Sequence, residues 1–169
     1  MKIAGNWQIA HLREPERFIL YAGAYLESSR SVCLRMRAEE DENTWPNAAV
    51  AMMLAAHAVE LFLKGAIVSR DPKMLAKIHR IDQLAETYFG LFPEEEFAFE
   101  VPFQGEYPGF SEDEIATLKK EEPAPSILFR YPVKSQGVEW QGVHGFEAQG
   151  FLELIAELRD AFSRIGGRI

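Results

Sequence analysis

Residues 47–84 read NAAVAMMLAAHAVELFLKGAIVSRDPKMLAKIHRIDQL, and their first half is an alanine-rich apolar helix pattern interrupted by His57, Glu60 and Lys64. A helix that is apolar nearly all round is built for burial, so it constrains the chain to a fold in which other elements surround it. At about 100° per residue, positions 57, 60 and 64 fall within roughly 60° of one another and form one polar stripe. Burying such groups costs several kcal/mol, on the order of a whole protein's net stability, unless they find partners. His79 lies just beyond, at the start of a second apolar pattern marked by Ile81 and Leu84.

The chain has 169 residues, enough for one domain with a core of its own, and the span 1–169 reads as that single domain. Its formal net charge of −8 argues against a general grip on nucleic acid, which needs surplus Lys and Arg, and leaves only local basic groupings such as Arg30, Arg35 and Arg37. One cysteine, Cys33, excludes an internal disulfide and any multi-cysteine metal site, and its mid-helix setting predicts a packed thiol. The most hydrophobic stretch, Ala48 to Val68, is broken by its three polar residues, so the expectation is a protein without a membrane span. The absence of a signal-like apolar core near Met1 predicts a cytoplasmic address. There is no P-loop glycine pattern, no HExxH and no GxSxG, and four scattered histidines predict neither a metal site nor a cofactor.

Helical periodicity and punctuation divide the rest. A first helix is expected from Glu14 or Pro15 to about Ala38, with Phe18, Leu20, Tyr21, Ala24, Tyr25, Ser28, Val32 and Met36 at helical spacing. Pro46 opens the second, which continues to about Ser69. A short helical segment covers Asp71 to Lys77, and a third long helix runs from about Arg80 to Leu91 and stops at Pro93. Phe97, Phe99, Val101 and Phe103 alternate like a short strand or an extended packing segment. Ser111 to Glu114 is a capping box for a brief helix ending near Lys120. Ile127–Tyr131 and Val138–Trp140 can pair as a hairpin. A last amphipathic helix spans about Gly145 to Ile165, with Phe151, Leu154, Ile155, Leu158, Phe162 and Ile165 on one face. The fold expected is all-α, an up-and-down bundle of four to five helices with an irregular insertion over about 93–143.

Two motifs in this pattern, Glu60-Leu-Phe-Leu-Lys64 and His79-Arg-Ile-Asp-Gln-Leu84, resemble the E-L-x-L-K helix and H-x-L-x-x-L helix start of the HEPN superfamily, the higher eukaryotes and prokaryotes nucleotide-binding domains. Phe129-Arg-Tyr-Pro132 is similar to an R-Y-P element that precedes the last helix in several such proteins. The resemblance covers 46–91 well and 128–165 more loosely. It implies an all-α bundle, usually a homodimer, and a setting of nucleotides, RNA cleavage, and toxin–antitoxin or phage defence; a further reading makes the chain purely a partner subunit opposite a nucleotidyltransferase-like protein, with no pocket. The ribonuclease branch of that superfamily carries an Arg followed by His after four to six intervening residues. None of His11, His57, His79 or His144 has an Arg at that spacing, which withdraws the most direct catalytic reading.

The function expected is therefore a non-catalytic helical module that dimerises and binds a nucleotide or a protein partner. His57, Glu60, Lys64, His79, Arg130 and Tyr131 are its candidate ligand-binding or interface residues. Lys64 and Arg130 would neutralise a phosphate or carboxylate while Glu60 holds Lys64. The alternative is a metal-independent ribonuclease using His79 or His57 with Arg130.

Overall fold

A computed structural model describes residues 3–74, 78–105, 109–121, 128–133 and 145–169. Five described α-helices organise it: α1 (Glu14–Ala38), α2 (Trp45–Arg70), α3 (Ile81–Leu91), α4 (Glu112–Glu121) and α5 (Ala148–Gly166). Short 3₁₀ turns occupy Asn6–Ile9, Glu40–Glu42, Pro72–Met74 and Glu95–Phe97. The fold is the expected all-α bundle, and no strand occurs among the described residues.

The helix ends follow local chemistry. In α1, Glu16 reaches back to the Arg13 backbone N–H at 2.8 Å, and Pro15 fills a first-turn position whose N–H has no partner inside the helix. Pro46 does the same for α2. At α4 half of the predicted box forms: the Ser111 N–H donates to Glu114 Oε2 at 2.8 Å, and the Ser111 hydroxyl donates to the same oxygen at 2.6 Å. At α5 the carboxylate of Glu147 accepts from the N–H groups of Gln149 and Gly150, which fixes the start at Ala148 rather than at Gly145.

α1 and α2 run antiparallel, and two contacts show how closely. A Cβ on Gly65 would lie 2.9 Å from Phe18 Cβ and 3.2 Å from the Pro15 carbonyl. Ser29, fully buried, donates its hydroxyl to the Ala51 carbonyl at 2.7 Å. α5 lies antiparallel to α1, with Arg37 donating to Gln149 at 2.8 Å at one end and, at the other, Ile19 standing 3.2 Å from where a Cβ on Gly166 would lie. α2 is the central core helix, and Ala51, Ala55, Ala56, Ala58, Val59, Phe62, Leu63 and Ala66 are wholly buried. Its small residues let the neighbours approach. By length and composition α2 is also apolar enough to cross a membrane, with a mean hydropathy of 1.6 over its most apolar window; 61% of that window is buried inside the bundle.

The buried face of α1 is Ala22, Leu26, Ser29, Cys33 and Met36, whereas Leu20, Tyr21, Ala24 and Ser28 are exposed. The packing stripe expected on α1 therefore falls partly on its solvent side. Small residues, Ala22, Ser29 and Cys33, share the buried face with Leu26 and Met36, while Leu20 and Tyr21 stand outside it. On α5 the expected face holds, with Ile155, Leu158, Phe162 and Ile165 buried.

After α3, the segment 97–103 is the extended packing alternative. Phe97 and Val101 are buried, Phe99 and Phe103 partly so, and Ala98 and Glu100 face out. An aromatic cluster receives it: Phe62 stacks on Phe162 at 4.0 Å, and Tyr88 on Phe92 at 4.9 Å. The Tyr88 hydroxyl donates to the Phe97 carbonyl at 2.7 Å, and burial pushes that phenol up to about 12. The segment expected as helical over 71–77 begins as the 3₁₀ turn at Pro72–Met74, and 75–77 lie outside the described residues. Of the expected hairpin, Phe129 and Arg130 form a turn, and 138–140 lie outside the described residues.

Candidate functional site

The polar stripe of α2 finds its partners in one place. Glu60, whose side chain is 4% exposed, accepts from Lys64 Nζ at 2.9 Å and from His79 Nδ1 at 2.9 Å, both at Oε1. His57 Nδ1 stands 3.6 Å from Oε2, too long for a direct hydrogen bond. Lys64 Nζ also lies 3.5 Å from His79 Nδ1. An ammonium only donates, and His79 Nδ1 must itself carry a proton to bond an ionised carboxylate, so the two do not bond each other. They share Oε1.

Burial alone would raise the Glu60 carboxyl; contacts with His57, Lys64 and His79 overcome it and hold the group down at about 2. The buried carboxylate is therefore ionised at neutral pH and surrounded by donors. No buried side-chain polar atom among the described residues lacks a hydrogen-bond partner.

The fold explains why each residue is there. His57, Glu60 and Lys64 share a helical face, and Tyr25 of α1 packs edge-on against the His57 ring at 4.7 Å. His79 comes from the approach to α3. In the next residues, Ile81 and Leu84 are buried in the core, while Asp82 pairs with Arg80 at 3.1 Å and with Lys119 of α4 at 3.0 Å. Arg80 also donates to the Lys119 carbonyl. The His-Arg-Ile-Asp run thus fastens α3 to α2, to the core and to α4 in turn.

Four of the six sequence-predicted residues, His57, Glu60, Lys64 and His79, converge. Arg130 lies in an exposed turn and Tyr131 follows it, also exposed; the contacts of Glu60 are made without them. Lys64 is only 12% exposed and its charge is engaged by Glu60, whereas His79 is 65% exposed. With Nδ1 turned to Glu60, the other ring nitrogen of His79 is the one available to a visitor. Among the described residues no group of three or more His, Cys, Asp or Glu side chains is arranged to hold a metal ion.

Sequence reasoning missed a second feature beside this cluster. Glu14, Arg17, Phe18 and Tyr21 of α1 and Leu61 of α2 line an open groove of about 500 Å³. Leu61 occupies the same α2 face as His57 and Lys64, and so does Val50 further back along the helix. Tyr21 is 49% exposed and Val50 43%. The one signal of the groove is Tyr21, which the α1 period assigns to the core. Cys33, by contrast, is the packed thiol expected: it is buried, and burial pushes it up to about 11.

No family model, no curated protein and no solved structure matches the chain.

Proposed function

We propose that the chain is a non-catalytic, HEPN-like helical interaction module that pairs with a second copy through the outer face of α1 and α2. One observation carries this reading: the solvent-facing groove along Phe18, Tyr21 and Leu61 has an apolar floor flanked by Glu14 and Arg17, one residue of each sign. Arg17 is held by the carbonyls of Ala10 and Leu12, so two copies related by a two-fold axis would pair chiefly through the apolar floor meeting itself. Contiguous exposed apolar surface of this kind marks contact sites. The Glu60 cluster beside it serves as architecture, since Lys64 is already neutralised. A toxin–antitoxin or defence setting, with a nucleotide or a nucleotidyltransferase-like protein as further partner, rests on the motif resemblance alone.

Sedimentation equilibrium tests the pairing. Wild type should be dimeric, and Tyr21→Glu with Val50→Glu should be a folded monomer; a monomeric wild type sinks the reading. Calorimetric titration with mono- and dinucleotides tests the ligand arm, with Lys64→Ala as the control.

A second reading has its own observation. A buried carboxylate bonded to one nitrogen of an exposed imidazole is the arrangement that orients a general base, as Glu60 does His79. A metal-independent ribonuclease would use it. RNA left intact over hours by the purified protein disposes of this reading; cleavage abolished in a folded His79→Ala variant would replace the first with it.

A further inference from the structure

Another groove shares no residue with the first. It lies between α5 and the extended segment after α3, encloses about 350 Å³, and is lined by Phe99, Leu154, Leu158 and Ala161 with Glu100, Glu157 and Asp160 around them. Leu158 and Ala161 are buried beneath, while Phe99 and Leu154 are partly open. Arg164, at one end, is spent on the wall: its guanidinium donates to the carbonyls of Glu96 and Ala98. That clamp ties the extended segment to α5 and keeps the trough shaped. Glu100, Glu157 and Asp160 are exposed, and none of the three pairs with a cation among the described residues. The result is an apolar trough whose open rim carries three carboxylates and, at one end, the Arg164 guanidinium held on backbone carbonyls, a net charge of −2.

We propose that this groove seats a cationic amphipathic segment of a partner polypeptide, with its apolar side chains on Phe99 and Leu154 and its Lys or Arg side chains on Glu100, Glu157 and Asp160. Charge complementarity selects this occupant. A phosphate-bearing nucleic acid or an acidic peptide would meet a rim of net negative charge in which carboxylates outnumber the one guanidinium three to one, and a purely apolar segment would leave that rim unanswered. A helix presenting apolar residues every three to four positions, flanked by basic ones, answers both. The inference does not depend on pairing through α1 and α2, and its test reads a different surface.

The experiment is fluorescence anisotropy of the full chain with a labelled Leu/Lys amphipathic peptide about five helical turns long. Saturable one-to-one binding is expected. It should weaken about tenfold in Glu100→Gln/Glu157→Gln/Asp160→Asn, as three rim charges of modest individual weight would give. It should be unchanged in Glu39→Gln/Glu40→Gln/Asp41→Asn, which carries the same net charge with the groove intact. Leu154→Gln, verified as folded by its melting curve, should also weaken it. Absence of saturable binding, or equal loss in the two charge variants, overturns the proposal. So does self-association of the chain that disappears in the groove variant, because the occupant is then a second copy.

Discussion

Glu60 Oε1 and His79 Nδ1 lie 2.9 Å apart across nineteen residues of chain. The pair closes the connection between α2 and α3, and the same oxygen takes Lys64. Removing the carboxylate would leave a cation that is 12% exposed without its counter-charge. Glu60→Leu should therefore lower stability by about 3 kcal/mol in urea unfolding, and Glu60→Leu/Lys64→Met should lower it less than Glu60→Leu alone. A double variant worse than the single would show that the pair itself, and not the orphaned charge, carries the energy.

Acid should expose the same carboxylate. Glu60 sits at about 2 in the fold against an ordinary 4.5. A carboxyl whose value folding depresses contributes stability that is fully present above its unfolded value and is lost as pH falls through the folded one. The window is thus roughly pH 4.5 down to 2, and the contribution is on the order of 3 kcal/mol. Urea midpoints measured across that window should fall more steeply for wild type than for Glu60→Gln. Parallel curves would rule out this assignment.

Two glycines should respond to alanine in opposite directions. In α2, a Cβ on Gly65 meets Phe18 Cβ at 2.9 Å and the Pro15 carbonyl at 3.2 Å; in α3, a Cβ on Gly90 meets nothing within 4 Å. Gly90→Ala should gain up to about 1 kcal/mol from helix propensity. Gly65→Ala receives the same gain but must push α1 away, for a net loss of about 1–2 kcal/mol. Thermal melts of the two variants decide it, and a stabilised Gly65→Ala would mean that α1 and α2 separate easily.

The thiol of Cys33 should be slow to react. It is buried, and burial raises it to about 11, so little thiolate exists at neutral pH. Labelling by a disulfide reagent should proceed at the rate of opening and accelerate sharply in denaturant. Prompt stoichiometric labelling of native protein would contradict the packing of α1 against α2.

Helix positions were legible because proline and acidic residues mark them: Pro15 with Glu16 and Pro46 begin α1 and α2 where expected. The face of α1 was not, because hydropathy weights size. Leu20 and Tyr21 outrank Ala22, Ser29 and Cys33 in any apolar count, yet the smaller set makes the contact with α2. Period is also mute on α2, which is apolar on nearly every side. The stripe of His57, Glu60 and Lys64 was readable as an anomaly on such a helix, and His79 as its neighbour, since both motifs sit close together in the chain. Lys119, which completes the ties of Asp82, gave no signal because a surface lysine in a charged helix has no distinguishing pattern. The groove beside α5 was invisible for a related reason: Glu100 and Glu157 meet only when the chain after α3 returns to α5.

Ile19 has a mechanical consequence. Its side chain lies 3.3 Å from where a Cβ on Gly65 would stand and 3.2 Å from where one on Gly166 would stand. One residue of α1 thus touches the bare backbone of two other helices at the same level. The bundle is pinched there, with no side chain on either neighbour to yield. Splaying of α1 from α2 would be resisted most at Ile19 and least toward Met36 and Ala48, where a smaller apolar cluster holds the helices. The end of the bundle that can breathe is set by where two side chains are missing.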